Sequence, residues 1–531
     1  MPVSPEHIVG RWLRKMGIII SPSLLKEQLN SHPDYPSLRS ISDCLDNLGI
    51  DNAALVIDKE RLNEVPLPFL AHDMARNRFI IIENTIEQIS ENTEFNKHWN
   101  GTALLAEKPE GWRNEENEKQ IKAGRKKNQN TFFAVSLIIL LVGLSLLNGF
   151  SWQMAGLLVT VLAGLGIAAL IVQHELGISN EITEQLCSTG KNTDCDAVMH
   201  SKGSKLGKWL SPIAIGWADA GIIFFSSFLV TLVVAIYTGY TAVTGVLAVL
   251  SAAAIPFTFF SLYYQWRVIK KWCPLCLLTI AVLWLQFFLL FPALEGLIID
   301  FIAAAFTSFV FISTAIIWLL LVKPALEKNK EFTDNNFRLL RFKNNYLVFE
   351  GFLYKQRKID VTPFENDLQL GNPDAPVQIM VACNPYCWPC AKTHEVLHEF
   401  ACKTDIGFTI RLTPKTNNRE DKTTIAAEYL LQLLNGKGGE YKRQALHDWY
   451  SWMDVEKFKK QYVLSEINDV KVQLKQHEDW NREAKIEFTP TIFINGYELP
   501  KQYKATDLKN IIKNVEQNIE TAVAETELTP A

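Results

Sequence analysis

Residues 131–322 are overwhelmingly apolar, and this stretch constrains everything else the chain can build. A helix needs roughly 20 consecutive apolar residues to cross the hydrocarbon core of a bilayer. Six segments approach that length: 131–149, 154–173, 213–236, 243–264, 274–292 and 301–322. An even number of crossings places both flanking parts on one side. The connections Gly149–Gln153, Tyr237–Ala242 and Pro292–Glu295 are short and carry no Lys or Arg. Everything large, charged or cysteine-bearing therefore falls on the opposite face.

At 531 residues the chain exceeds one core, and about three units of roughly 100–200 residues are expected. The composition sets them at 1–110, 131–322 and 366–525, with linkers at 111–130 and 323–365. The net charge of -4 is spread out, with no basic tract interleaved with aromatics, so nucleic-acid binding is set aside. The start, Met1-Pro2-Val3-Ser4-Pro5-Glu6, lacks a basic-then-apolar leader pattern, so any export is expected to rely on the internal apolar segments.

Lys and Arg cluster at Arg113–Lys127, Lys191–Lys208, Arg267–Lys271 and Lys323–Lys330, all on the cysteine-bearing face. A literal positive-inside count puts that face in the cytoplasm. Dithiol and disulfide cycling belongs in an oxidising compartment, and long soluble domains translocate largely regardless of charge. The reading adopted is the extracytoplasmic face.

The nine cysteines are Cys44, Cys187, Cys195, Cys273, Cys276, Cys383, Cys387, Cys390 and Cys402. Six form three close pairs, 187/195, 273/276 and 387/390, able to pass a disulfide by thiolate attack through mixed disulfides. Cys273-Pro274-Leu275-Cys276 stands at the mouth of an expected span, where it can meet both an aqueous thiol and a lipid-dissolved acceptor. A zinc site needs four ligands, and no His or second Cys pair stands nearby at suitable spacing. The helix dipole there favours a thiolate. Cys187 and Cys195 flank a polar Gly/Asn/Thr loop, read either as a mobile carrier or as a static staple.

The loop pair, then Asp196-Ala197-Val198-Met199-His200-Ser201, two apolar spans and Cys-Pro-Leu-Cys opening the next, resembles the vitamin K epoxide reductase family in its bacterial quinone-reducing form. The resemblance covers roughly 154–322. It implies a four-helix bundle around a quinone, with Cys276 forming the transient adduct, Cys273 exchanging with Cys195, and Cys187 receiving electrons from a partner. Ser201 matches the family's polar residue near the quinone. Ile280 stands where vertebrate members have a quinone-bonding Tyr, so menaquinone or ubiquinone is expected rather than vitamin K epoxide. Asp219 lies well inside a span, where carboxylates are functional suspects, and Gly216-Trp-Ala-Asp-Ala-Gly reads more readily as a helix start with Asp219 as N-cap.

Farther on, a short strand pattern in 371–382 runs into Cys383-Asn-Pro-Tyr-Cys387-Trp-Pro-Cys390 and a helix-compatible stretch. A Cys-x-x-Cys at a helix N-terminus has a lowered first thiol, so Cys387 is expected as nucleophile and Cys390 as resolving thiol. About a hundred residues later comes Phe488-Thr489-Pro490-Thr491 with another strand signal. Together these resemble the thioredoxin superfamily, which implies a cis bond before Pro490 and substrate backbone received at Thr489 and Pro490. The helical region 421–482 fits the insertion of DsbA-like members. Cys383 and Cys402 have no clear redox partner, and His394 and His398 lack a third metal ligand, so no metal is expected.

In residues 5–106, Leu24–Leu29 and Leu38–Leu48 have helical periodicity, and Ala53–Ile57 and Phe79–Glu83 read as strands. The segments His32-Pro-Asp-Tyr-Pro-Ser-Leu, Pro68-Phe-Leu-Ala-His and Arg78-Phe-Ile-Ile-Ile resemble the papain-like α+β cysteine-peptidase domain of bacteriocin exporters. No Cys precedes Cys44, and Arg78 occupies the catalytic His position, so an inactive, peptide-binding domain is expected.

The fold class expected is thus an α+β domain, an all-α transmembrane bundle and a C-terminal α/β thioredoxin fold. The function expected is a fused disulfide-generating oxidoreductase of a bacterial inner membrane. Electrons would pass from secreted cysteine-containing proteins or peptides to Cys387/Cys390, Cys187/Cys195, Cys273/Cys276 and quinone. Its rivals are a peptide-processing exporter with an active peptidase and a peptide-binding module feeding the relay. No Gly-x-x-x-x-Gly-Lys-Ser/Thr loop supports an ATP-driven exporter.

Overall fold

Prolines start the first two helices, α1 (Pro5–Lys15) and α2 (Pro22–Asn30), where a missing N–H costs nothing. The third, α3 (Leu38–Asn47), begins with a reciprocal cap in which Ser37 and Ser40 each accept the other's backbone N–H, at 3.1 and 3.2 Å. The computed structural model that shows this describes residues 4–58, 61, 64–73, 78–83, 99–126, 129, 152–177, 183, 186–187, 193, 195–199, 201, 215–240, 242–295, 300–364, 367–403, 406–418, 420–464 and 469–512. They divide into two compact units, Met1–Arg338 and Leu339–Ala531.

In the first unit, Trp12, Leu13, Leu25, Leu29 and Leu45 from these helices are buried with Leu70 and Leu104 of an antiparallel sheet. Its strands are β1 (Asp51–Val56), β2 (Phe69–Asp73), β3 (Arg78–Ile82) and β4 (Thr102–Glu107), in the order β1-β4-β2-β3. The helices and strands expected here all form. Asn117, in the expected linker 111–130, accepts the Ser21 N–H at 2.7 Å and donates to the Ile19 carbonyl at 2.9 Å, tying that segment back onto the domain.

The apolar region forms α4 (Trp152–Glu175), a short α5 (Cys195–Met199), α6 (Trp217–Thr238), α7 (Val243–Tyr263), α8 (Pro274–Leu290) and α9 (Phe301–Ile317). The end of α7 widens into a π-helical turn, Tyr264–Ile269, and α9 runs on into α10 (Lys323–Lys343). Five helices among the described residues are long and apolar enough to cross a membrane. The expected span 131–149 lies outside the described residues. The last expected span, 301–322, is the first half of a continuous helix, Phe301–Lys343. A Cβ on Gly164 would stand 2.2 Å from the Phe225 ring, so glycine lets α4 and α6 approach this closely.

Asp219 is not the N-cap of α6. That position is Gly216, and Asp219, two residues into the helix, accepts the Gly216 N–H at 2.8 Å. Its carboxylate also accepts from Trp318 Nε1 at 2.9 Å and from Lys323 Nζ at 2.6 Å. The carboxylate thus satisfies a helix start and joins that start to the junction of α9 and α10.

The second unit opens with α11 (Tyr346–Leu353), whose Phe349 and Leu353 lie in its core although the expected linker extended to 365. Strands β5 (Leu368–Gly371), β6 (Val377–Cys383), β7 (Ile406–Leu412), β8 (Thr491–Ile494) and β9 (Tyr497–Glu498) form one sheet in the order β5-β7-β6-β8-β9. β6 and β7 are parallel, and the remaining pairs are antiparallel. Helix α12 (Trp388–Lys403) follows β6, and α13 (Lys422–Leu434), α14 (Gly439–Trp452), α15 (Val455–Gln461) and α16 (Lys471–Glu483) fill the expected helical region 421–482.

Candidate redox sites

Cys273 caps α8, and Pro274 supplies the first helical position. The Cys276 N–H donates to Cys273 Sγ at 3.2 Å, as the dithiol spacing requires when the first sulfur caps the turn. Cys273 is fully buried, and its own N–H donates to Gln265 Oε1 at 2.9 Å. Gln265 is buried within the π-helical turn and donates to Ser261 Oγ at 3.1 Å. A cavity opens beside this arrangement, lined by Cys276, Thr279, Gln265, Ser201, Trp217 and Glu175 among others. Its wall is mostly apolar, with Phe257 and Phe260 adding ring faces.

Cys187 and Cys195 are joined in a disulfide with Cα atoms 5.6 Å apart. Cys195, Val198 and Met199 bury against Cys273 and Leu275, and Cys187 and Cys276 pack on the same cluster. A β-bridge between Thr193 and Trp272 fastens the loop beside the dithiol. The fold thus gathers four expected redox cysteines into one cluster. Ser201 donates from Oγ to the Val198 carbonyl at 2.7 Å, closing the end of α5, and also borders the cavity.

In the second unit, β6 delivers the chain to the other dithiol. Pairing of Ala382 with Thr491 brings Thr489-Pro490 to the strand end from which the cysteine loop departs. The Thr489-Pro490 bond is cis, as expected. Cys387 is half-buried and donates to the Thr489 carbonyl at 3.3 Å, while the Cys390 N–H donates to Cys387 Sγ at 3.4 Å. Trp449 Nε1 donates to the Pro385 carbonyl at 2.9 Å and fixes the loop between Cys383 and Cys387.

The expected acidification of Cys387 by the helix start is not what its surroundings favour: burial, together with hydrogen bonding from Cys390, holds the thiol above its ordinary value. Cys390 is pushed up much further, first by hydrogen bonding with Cys383 and then by burial. The difference between the two still leaves Cys387 the more readily ionised. Cys383, without a redox partner in the sequence reading, is therefore a buried neighbour of Cys390. Tyr450 lies beside the same thiols, and burial drives its phenol far from ionisation.

His394 is buried with its ring 5.1 Å from that of Tyr450, and no cluster of three metal-ligating side chains occurs among the described residues. The side chains of His398 and Cys402 lie outside the described residues. Cys44 is buried in α3, its thiol donating to Gln28 Oε1 at 3.5 Å. Burial pushes it up to about 12, the opposite of what a nucleophile needs. Arg78 pairs across the sheet with Asp73.

Sequence reasoning passed over Gln265 and Glu175. Both stand among other polar residues at the ends of apolar runs, Glu175 after Gln173 and His174 and Gln265 shortly before Arg267, so nothing local singled them out.

Residues 131–291 match the vitamin K epoxide reductase family model. Residues 364–514 match a thioredoxin family model. The chain thus joins a vitamin K epoxide reductase-type membrane segment to a thioredoxin-like domain, a combination that supports a thiol-disulfide oxidoreductase. No curated protein matches the sequence. Among solved structures, oxidised BdbD of Bacillus subtilis is similar at 15% identity and a TM-score of 0.25, over 31% of this chain and 97% of its own. DsbA of Chlamydia trachomatis is similar at 16% identity and a TM-score of 0.24, over 31% and 97%. The alpha-DsbA1 of Wolbachia pipientis is similar at 15% identity and a TM-score of 0.26, again over 31% and 97%.

Proposed function

We propose that this protein is a quinone-coupled thiol-disulfide oxidoreductase of a bacterial inner membrane that makes disulfide bonds in secreted proteins or peptides. A substrate thiol attacks the Cys387–Cys390 disulfide at Cys387, beside Thr489 and Pro490, and the substrate's second thiol resolves the mixed disulfide, leaving Cys387 and Cys390 reduced. Electrons then move to Cys187/Cys195, on to Cys273/Cys276, and leave from Cys276 to menaquinone or ubiquinone. The redox cysteines face the periplasm in this reading.

The observation that carries the reading is the position of Cys276. It belongs to the cluster that holds the Cys187–Cys195 disulfide, and it also borders an apolar cavity containing Ser201. One side can exchange thiols, and the other can take a flat, greasy acceptor. The mostly apolar wall with a few polar groups is the composition of a small-molecule site. The amino-terminal domain fits a peptide-binding relative of cysteine peptidases, because Cys44 is buried and inert and Arg78 fills the place of the base.

The test uses membranes carrying the full chain, a reduced dithiol protein and a quinone. Dithiol oxidation should depend on quinone and be lost in Cys276→Ala. A rate unchanged by that substitution rejects the relay.

A further inference from the structure

We propose that Glu175 carries protons between the outer polar cleft and the cavity at Cys276, so that quinone is protonated as it is reduced. This rests on the quinone reading given above. Glu175 is the last residue of α4, and it borders two different spaces. One is the mostly apolar cavity of Cys276, Ser201 and Gln265. The other is a polar cleft whose far wall is α10, presenting Glu327, Lys330, Glu331, Asp334 and Arg338. A Cβ placed on Gly177 would lie 3.2 Å from Lys330 Nζ, so α10 lies directly against the end of α4.

The neighbouring carboxylate does not compete for this role. Both Glu175 and Asp219 converge on Gly216, with carboxylate oxygens 3.5 and 3.7 Å from the position of a Cβ there. Asp219, which accepts from Lys323, Trp318 and the Gly216 N–H, borders neither space. Glu175 is the carboxylate that reaches both spaces.

Reduction of a quinone needs two electrons and two protons. The electrons come from Cys273 and Cys276 as their S–S bond forms, and the quinone oxygens take the protons. Cys273 is sealed from the cavity by burial, so its proton has no direct line to a quinone oxygen. Glu175 in its acid form gives a proton to one quinone oxygen, regains one from water in the polar cleft, and gives the second to the other oxygen. The two thiol protons return to water, and no co-reactant beyond dithiol and quinone is consumed.

The experiment measures quinol formation by the full chain in membranes, with dithiothreitol as donor and a short-chain ubiquinone as acceptor. Glu175→Gln should lower kcat about a hundredfold, the size of a general-acid contribution. The KM for quinone should not change, and thiol trapping should still show exchange between Cys187/Cys195 and Cys273/Cys276. Glu175→Asp, which keeps the acid, should recover part of the rate and guards against a folding defect. A wild-type kcat in Glu175→Gln, or a raised KM with kcat intact, overturns the proposal. Cys276→Ala in the same assay judges the quinone reading separately: activity that survives it rejects that reading whatever Glu175 does.

Discussion

Hydrogen bonding with Cys383 is the foremost reason that Cys390 resists ionisation, ahead of its complete burial. That ordering makes Cys383 a tuning residue for the dithiol. Cys383→Ala in a Cys387→Ser background should lower the midpoint for Cys390 alkylation by roughly one pH unit or more. An unchanged midpoint, followed with iodoacetamide and mass spectrometry, would mean burial alone sets it. In the otherwise unaltered chain, Cys387 should be alkylated before Cys390 at every pH, because the latter is pushed up much further. The pair spacing identified the dithiol, but nothing in the spacing could place Cys383 against it. That contact arises because β6 ends at Cys383 while the loop held by Trp449 folds Cys390 back over the strand end.

Two buried ion pairs fix how elements are joined. In the second unit, Arg411 on β7 is fully buried, donating to Asp367 at 2.8 Å while its guanidinium lies 3.8 Å from the Phe364 ring centre. His477 Nδ1 accepts the Leu412 N–H at 3.1 Å, which leaves Nε2 to face Asp367 at 3.3 Å. Burial opposes ionisation of Asp367, but the facing His477 ring and the hydrogen bonds from Arg411 outweigh it and hold the carboxyl below its ordinary value. A depressed carboxyl adds stability above its unfolded pKa and loses it as pH falls through the folded one, so the loss should begin below about pH 4. Asp367→Asn should cost about 3–5 kcal/mol near neutrality and flatten that acid limb, as read by urea titration across pH. Equal acid sensitivity in the variant would move the cause elsewhere.

In the membrane unit, Lys323→Ala strands the Asp219 carboxylate. A loss of about 3–5 kcal/mol is expected in detergent unfolding, largely restored by adding Asp219→Asn. A double variant as weak as the single one would contradict the pairing. The partner of Asp219 was hidden from the sequence because Lys323 lies 104 positions away. The local pattern revealed a helix start and misplaced its cap by three residues, whereas the Trp318 and Lys323 contacts depend on how the helices pack.

At the scale of the whole molecule, long apolar runs and strand-to-dithiol patterns were legible because each rests on local periodicity. Five of the six expected apolar helices, the strands at 53–57, 79–83 and 377–383 and the cis Thr489-Pro490 bond followed from such patterns or from the families they resemble, whereas the order of strands in each sheet did not. The charged, weakly apolar sequence of 323–343 has no buried face to announce a helix, so it reads as a linker although the chain there is helical. The cavity was legible only through Ser201 and Cys276, since Gln265 and Glu175 come from other helices. The side of the membrane rests on chemistry rather than charge. A membrane-impermeant maleimide should label Cys387 in intact spheroplasts, and labelling only after lysis would turn the cysteine face inward.

The π-helical turn at Tyr264–Ile269 has a consequence for how the gene can change length. An i to i+5 turn accommodates one residue more than an α-turn, and it aims Gln265 at the Cys273 N–H. Removing a single codon between Val268 and Lys271 would let the turn relax into ordinary α-helix and swing the amide away from the dithiol. Residue count here is as much a part of the site as residue identity, so indels in this short stretch should be purged while substitutions on its exposed side, such as Trp266, are tolerated.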